Sequence, residues 1–230
     1  MYMKNFQLLT LLFLCCTLLH AQDEAALIRA VKARLDQVNT YQASGTLTID
    51  AAFIKAPASG ITAYFKKPDQ FAIKKGDGLS ILPKGGISIN FSTLLGNENS
   101  TAIGAGNAVV RGTPVRIVKL LPLDANSDVV LSTLYIDVKK EVVHKAQVTT
   151  RNNGSYEVDL SYGRYATWGL PDKVVFTFNT REYKLPKGIA MEYDKGGTKK
   201  PAPPKDQKGV ITVVYANYAI NKPVDERVFK

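Results

Sequence analysis

Two hydrophobic periods meet in the first quarter of the chain. Leu27, Val31, Leu35 and Val38 recur at helical spacing, and from Tyr41 the apolar residues take every second position: Tyr41, Ala43, Leu47, Ile49, Ala51 and Phe53. Gln42, Ser44, Thr46, Thr48 and Asp50 stand between them. A period of about 3.6 giving way to a period of 2 predicts an amphipathic helix that feeds directly into a half-buried strand.

The rest of the chain reads as almost wholly β. A turn is expected at Lys55 to Gly60, then a strand from Ile61 to Lys67 that stops at Pro68, which has no N–H to give a ladder. Phe71 to Lys75 is extended, and Gly76-Asp77-Gly78 turns the chain. Ile81 to Asn107 holds six Gly and Pro residues around one apolar patch, Ile89, Phe91, Leu94 and Leu95, and reads as a mobile loop with one short helix near Ser92 to Leu95. Strands return at Pro114 to Leu121, Val129 to Val138 and Val142 to Thr150, the last two joined by a tight turn at Lys139-Lys140-Glu141. Asn152-Asn153-Gly154 is a hairpin signal, because Asn-Gly readily supplies the positive φ angles of a primed turn. Tyr156, Val158, Leu160 and Tyr162 then alternate with polar residues, and Asp172 to Arg181 and Val210 to Ile220 complete the set. The intervening Lys184 to Lys208 is rich in Pro, Gly and Lys, the composition of a flexible basic loop.

One apolar face per strand and a single good helix have an economical solution: a strongly curved, unclosed antiparallel sheet or barrel, mainly β, with the N-terminal helix and a short lid helix over its concave face. Pattern alone leaves two interiors open, a fully packed core and a cavity for an apolar ligand.

The first 21 residues stand apart. Lys4, an apolar run from Phe6 to Leu19 and the small Ala21 have the form of a secretory signal cleaved after Ala21, leaving residues 22–230 as one exported domain. The run is shorter than the roughly 20 residues a membrane-spanning helix needs. Both cysteines, Cys15 and Cys16, lie inside it, and the bulky Leu12-Phe13-Leu14 before them argue against lipidation. After cleavage no cysteine remains for a disulfide or a thiol nucleophile. The formal charge of +10 would point to nucleic acid in a cytosolic protein. Here the lysines scatter over turns and strand ends, which reads as a solvated surface with at most weak attraction to anionic headgroups or acidic partners.

Candidate chemistry is sparse. His144 sits mid-strand without ligand spacing around it, so no metal site is expected. Glu157 and Asp159 share a strand face opposite the apolar one and read as solvent-facing. No phosphate loop and no nucleophile elbow occurs. These readings exclude any basis for proposing catalysis and imply no cofactor.

Several segments resemble a known family. Val31 to Ser44 resembles the opening helix and strand of LolA/LolB-like periplasmic carriers, which sort lipoproteins to the outer membrane. Tyr64 to Phe71 (Tyr-Phe-Lys-Lys-Pro-Asp-Gln-Phe) resembles their aromatic-x-Lys-Arg-Pro-x-x-Phe motif. Leu134 to Leu160 is similar in hairpin spacing, and Asn221 to Phe229 looks like the family's closing segment. The resemblance implies a non-enzymatic, monomeric periplasmic carrier for lipoprotein acyl chains or another lipid, between an inner-membrane donor and an outer-membrane acceptor. The expected cavity lining is Leu35, Val38, Tyr41, Leu47, Ile49, Phe53, Phe65, Phe71, Phe91, Leu94, Leu95, Leu134, Ile136, Tyr156, Val158, Leu160 and Phe176. Lys67 falls where the family's arginine clamps a lid, and a lysine brings a point charge in place of a five-donor fork. The alternative on the same fold is a sensor or interaction module whose apolar concavity receives a protein segment.

Overall fold

The computed structural model describes residues 24–51, 54–75, 94–95, 99–152, 154–179 and 208–229. Helix α1 spans residues 24–36 and buries Glu24, Leu27, Ile28 and Val31, with Val38 buried just beyond its end. Steps of three and four place these side chains on one face. Each buried Leu, Ile or Val contributes about 1.5–3 kcal/mol, so tertiary packing rather than propensity holds this short helix.

The described residues form ten strands: β1 (Thr40–Ala51), β2 (Ile54–Lys66), β3 (Gln70–Lys75), β4 (Ser100–Val110), β5 (Thr113–Pro122), β6 (Val129–Asp137), β7 (Val142–Thr150), β8 (Ser155–Ser161), β9 (Lys173–Asn179) and β10 (Lys208–Ile220). They make one sheet in the order β3-β2-β1-β10-β9-β8-β7-β6-β5-β4, antiparallel at every junction. The sheet is not closed: β3 and β4 are its two edges. Short 3-10 turns occur at Ala166–Trp168 and Glu226–Phe229.

The β1–β10 pairing joins two meanders into one sheet. In β1 the odd positions Tyr41, Ala43, Leu47 and Ile49 are buried, as the alternation predicts. In β10 the parity switches, from Ile211, Val213 and Tyr215 to Tyr218. The switch lies where the register shifts, Ser44 pairing with Asn217 and Gly45 with Tyr215. One extra residue in β10 re-aims the side chains that follow, the geometry of a bulge.

Two expectations are corrected. The turn expected at Lys55 to Gly60 is strand: β2 runs without interruption from Ile54 to Lys66. Its register against β1 slips between Leu47 and Ile49, which absorbs Pro57 and Ala58 as an irregularity instead of a turn. The Ile81 to Asn107 loop is also shortened, because Ser100–Val110 is edge strand β4. Gly104 and Gly106 disguised it. Gly106 has φ +90 at the β4–β5 register shift, and Gly104 lies so near α1 that a Cβ would meet Glu24 Oε1 at 2.8 Å. Glycine in a strand marks such bulges and close approaches. The segment expected to be a signal, Phe53, Phe91 and the 184–207 part of the expected basic loop lie outside the described residues; Lys208 opens β10.

The chain leaves β3 at one edge of the sheet and enters β4 at the other. Leu94 and Leu95, between them in sequence, are both buried in the core cluster. Curvature brings distant strands together. Arg111, at the β4–β5 turn, donates to the carbonyls of His144 (3.0 Å) and Leu160 (2.6 Å) and to Asp159 Oδ1 (2.8 Å), three and four strands away from β4. The core is one cluster filling the concave face beneath α1.

Candidate functional site

The expected lining residues converge. Val38, Tyr41, Leu47, Ile49, Leu94, Leu95, Leu134, Ile136, Val158, Leu160 and Phe176 are buried in the single core cluster, and Leu35, Phe65, Phe71 and Tyr156 pack against it half-buried. Their rings interlock: Tyr41 stacks on Phe65 at 5.3 Å, and Tyr156 meets Phe176 at 4.9 Å. Burial, and then neighbouring Tyr215, push the Tyr41 hydroxyl well above its ordinary pKa, so it is neutral throughout the physiological range. The small space between Val31, Leu35, Leu94, Leu95, Leu160 and Tyr162 is only about 10 Å³. This is room for roughly one water, so the described side chains pack closely there.

A larger space opens beside it. Between α1 and the β4–β5 edge runs a half-open cleft of about 440 Å³, lined by Ala25, Ile28, Arg29, Lys32, Ala33 and Asp36 from the helix and by Leu95, Ser100, Ala102 and Leu120 opposite. That volume lies within the roughly 300–1,000 Å³ of ordinary ligand sites. Only Leu95 belongs to the set expected from sequence. The helical stripe read from the sequence, Leu27, Val31, Leu35 and Val38, is a different set, and the opposite wall depends on β4.

Polar contacts fasten α1 at both ends. Lys67 Nζ donates to the Asp36 carbonyl at 2.5 Å and lies 3.2 Å from Asp36 Oδ1. A cation on the last carbonyl of a helix satisfies an orphan acceptor and meets the negative end of the dipole. Arg34 binds Glu141 Oε2 (2.5 Å) and the Thr167 carbonyl (3.3 Å). Asn221, at φ +54, accepts from Asn39 N–H (2.7 Å) and donates to the Gln37 carbonyl (2.9 Å), strapping the helix–strand joint. At the other end Arg116 stands 3.5 Å from the buried Glu24.

The isolated titratable groups settle into structural roles. Glu157 accepts from Gln147 (3.0 Å) and pairs with Lys145 (2.7 Å); partial burial raises its pKa, and these bonds more than offset that, leaving it lowered. His144 is more buried than its strand-surface reading: its side chain is 12% exposed, edge-on to Tyr162 and 3.8 Å from Asp137. Burial lowers its pKa, against the pull of Asp137 and reinforced by Arg111 and Lys140. The folded state therefore binds fewer protons than the unfolded chain, whose histidine titrates near about 6.5. Stability contributed by neutral His144 is present above that pH and lost as pH falls through the folded value. Urea midpoints should drop from pH 7.5 to 5.0, and His144→Gln should flatten this slope; an unchanged slope would assign it to other groups.

Among the described residues, no cluster of three His, Cys, Asp or Glu forms a metal site, and no helix is long and apolar enough to cross a membrane.

Comparison with known proteins places this architecture. No family model matches the chain, and no curated protein does. Solved structures do match in fold. A domain described as an outer membrane lipoprotein-sorting protein, from Vibrio parahaemolyticus, aligns with a TM-score of 0.60 at 9% identity, over 91% of this chain and 97% of that one. A DUF1329 family protein from Desulfovibrio piger aligns at 0.55 and 9% identity, over 92% and 97%. A LolA superfamily protein from Nitrosomonas europaea aligns at 0.53 and 8% identity, over 88% and 96%. The chain thus shares its fold with these three structures, an open antiparallel sheet with one N-terminal helix.

Proposed function

We propose that this chain, with the fold of LolA-like lipoprotein-sorting domains, is a periplasmic carrier that shields lipoprotein acyl chains, or another lipid, in transit to the outer membrane. It works as a monomer without catalysis, receiving cargo from an inner-membrane donor and yielding it to an outer-membrane acceptor. The observation that carries this reading is the cleft between α1 and the β4–β5 edge, which opens beside the apolar concave face.

The energetics suit a carrier. Each buried CH₂ of an acyl chain contributes about 0.8 kcal/mol, so a chain exchanges well against protein side chains as a filler of the concave face. The ionic fastenings of α1, Lys67–Asp36 and Arg34–Glu141, are partly exposed and of a kind worth at most about 1 kcal/mol each. Such contacts hold a helix in place and still release it.

Mass spectrometry of gently extracted, purified protein should find copurified lipid, and a fluorescent acyl probe should bind and be displaced by it. Absence of both would overturn the reading. A stoichiometric protein partner retained after delipidation would favour the interaction module instead.

A further inference from the structure

Resting on the carrier reading, we propose that the cleft takes one lipid with an anionic headgroup, its chain lying along α1 and its head held by Arg29 and Lys32. Ala25, Ile28, Arg29, Lys32, Ala33 and Asp36 line the helix side of the cleft. Steps of three and four put them on one continuous stripe, about 17 Å long from Ala25 to Asp36 at 1.5 Å per residue. The cleft is therefore a slot running the length of the helix, the shape of an extended chain.

The small side chains Ala25, Ala33 and Ala102 leave its width, while the buried Ile28, Leu95 and Leu120 make its inner wall. One end is closed where the helix start and edge strand nearly touch, since even a Cβ at Gly104 would meet Glu24 Oε1 at 2.8 Å. Glu24 stands at that closed end, 3.5 Å from Arg116.

Two of the three charged residues among the described cleft lining, Arg29 and Lys32, are cations. Asp36 is the one acidic residue among the described residues lining the cleft, and Lys67 stands 3.2 Å from its carboxylate. Arg29 is exposed, Lys32 is half-buried, and they are adjacent at i, i+3. A guanidinium and an ammonium over an apolar slot match a negative head on an apolar tail. The net charge of +10 favours the same sign of ligand over the whole surface.

The full mature protein is titrated with phosphatidylglycerol and phosphatidylcholine of one short acyl length, below their micelle concentrations, and with glycerol phosphate as a head lacking chains. Phosphatidylglycerol should bind about tenfold more tightly than phosphatidylcholine, the discrimination expected of one exposed and one half-buried cation. The preference should shrink as salt rises from about 0.05 to 0.5 M. Arg29→Gln with Lys32→Gln should abolish the preference and keep phosphatidylcholine binding, and Ala33→Trp, at an exposed position, should weaken both lipids. Equal binding of the two lipids, or a preference that survives the double substitution, overturns the headgroup proposal and leaves the carrier standing. Glycerol phosphate binding as tightly as phosphatidylglycerol would make this an anion site without a chain and overturn it too. If neither lipid nor the acyl probe binds, the carrier reading fails and takes this proposal with it.

Discussion

Gly45→Ala should cost about 3 kcal/mol or more, a large effect for one methyl group. A Cβ at Gly45 would lie 2.4 Å from the Val214 carbonyl oxygen and 3.2 Å from Tyr215 Cα. Both are backbone atoms of the neighbouring strand, so no rotamer change relieves the clash. The site is also the register shift of β1 against β10, the junction that joins β3-β2-β1 to the other seven strands. Relaxation there must pull the two parts of the sheet apart. Gly60→Ala in β2 is the control, because nothing lies within 4 Å of its Cβ position; its midpoint should stay within about 0.5 kcal/mol of wild type. Urea unfolding of both variants checks the pair. Equal midpoints would show that the β1–β10 junction yields without cost.

Val31→Asp should release α1 while the sheet stays folded. Val31 is 3% exposed and lines the small void with Leu35, Leu94, Leu95 and Leu160. Glu141 lines the same void, so an aspartate meets a like charge as well as desolvation. A buried, uncompensated charge costs about 3–5 kcal/mol, more than the exposed fastenings at the helix end return. Detachment avoids that cost by hydrating the face. Limited proteolysis should then cut within residues 24–36, with binding of an apolar dye raised and the β signal in circular dichroism kept. Loss of the β signal together with the helix would show that α1 is integral to one cooperative unit. The two substitutions thus separate the scaffold from the helix that covers it.

The helix–strand joint carries the same distinction. Leu27, Val31 and Val38 at helical spacing, then Tyr41, Ala43, Leu47 and Ile49 at alternate positions, are buried as the periods require, because each period is local and each element has one face to hide. The later strands from Thr113 onward lie within a few residues of their expected bounds for that reason. β4 was hidden because its glycines answer to partners far away in sequence: Gly104 to Glu24, and Gly106 to the bulge against β5. Local composition reads them as loop.

Lys67 is intermediate. Its motif marked it as a clamp, but only the folded chain brings its ammonium to the Asp36 carbonyl at the end of α1. Arg29 and Lys32 went unmarked, because the wall opposite them belongs to strands distant along the chain. By itself the sequence determined a curved β sheet with one apolar face and one helix to cover it, since burial must follow the period. Only the tertiary structure decided where that cover fits closely and where it leaves a cleft, because cleft width depends on the small side chains and bulges of strands distant along the chain.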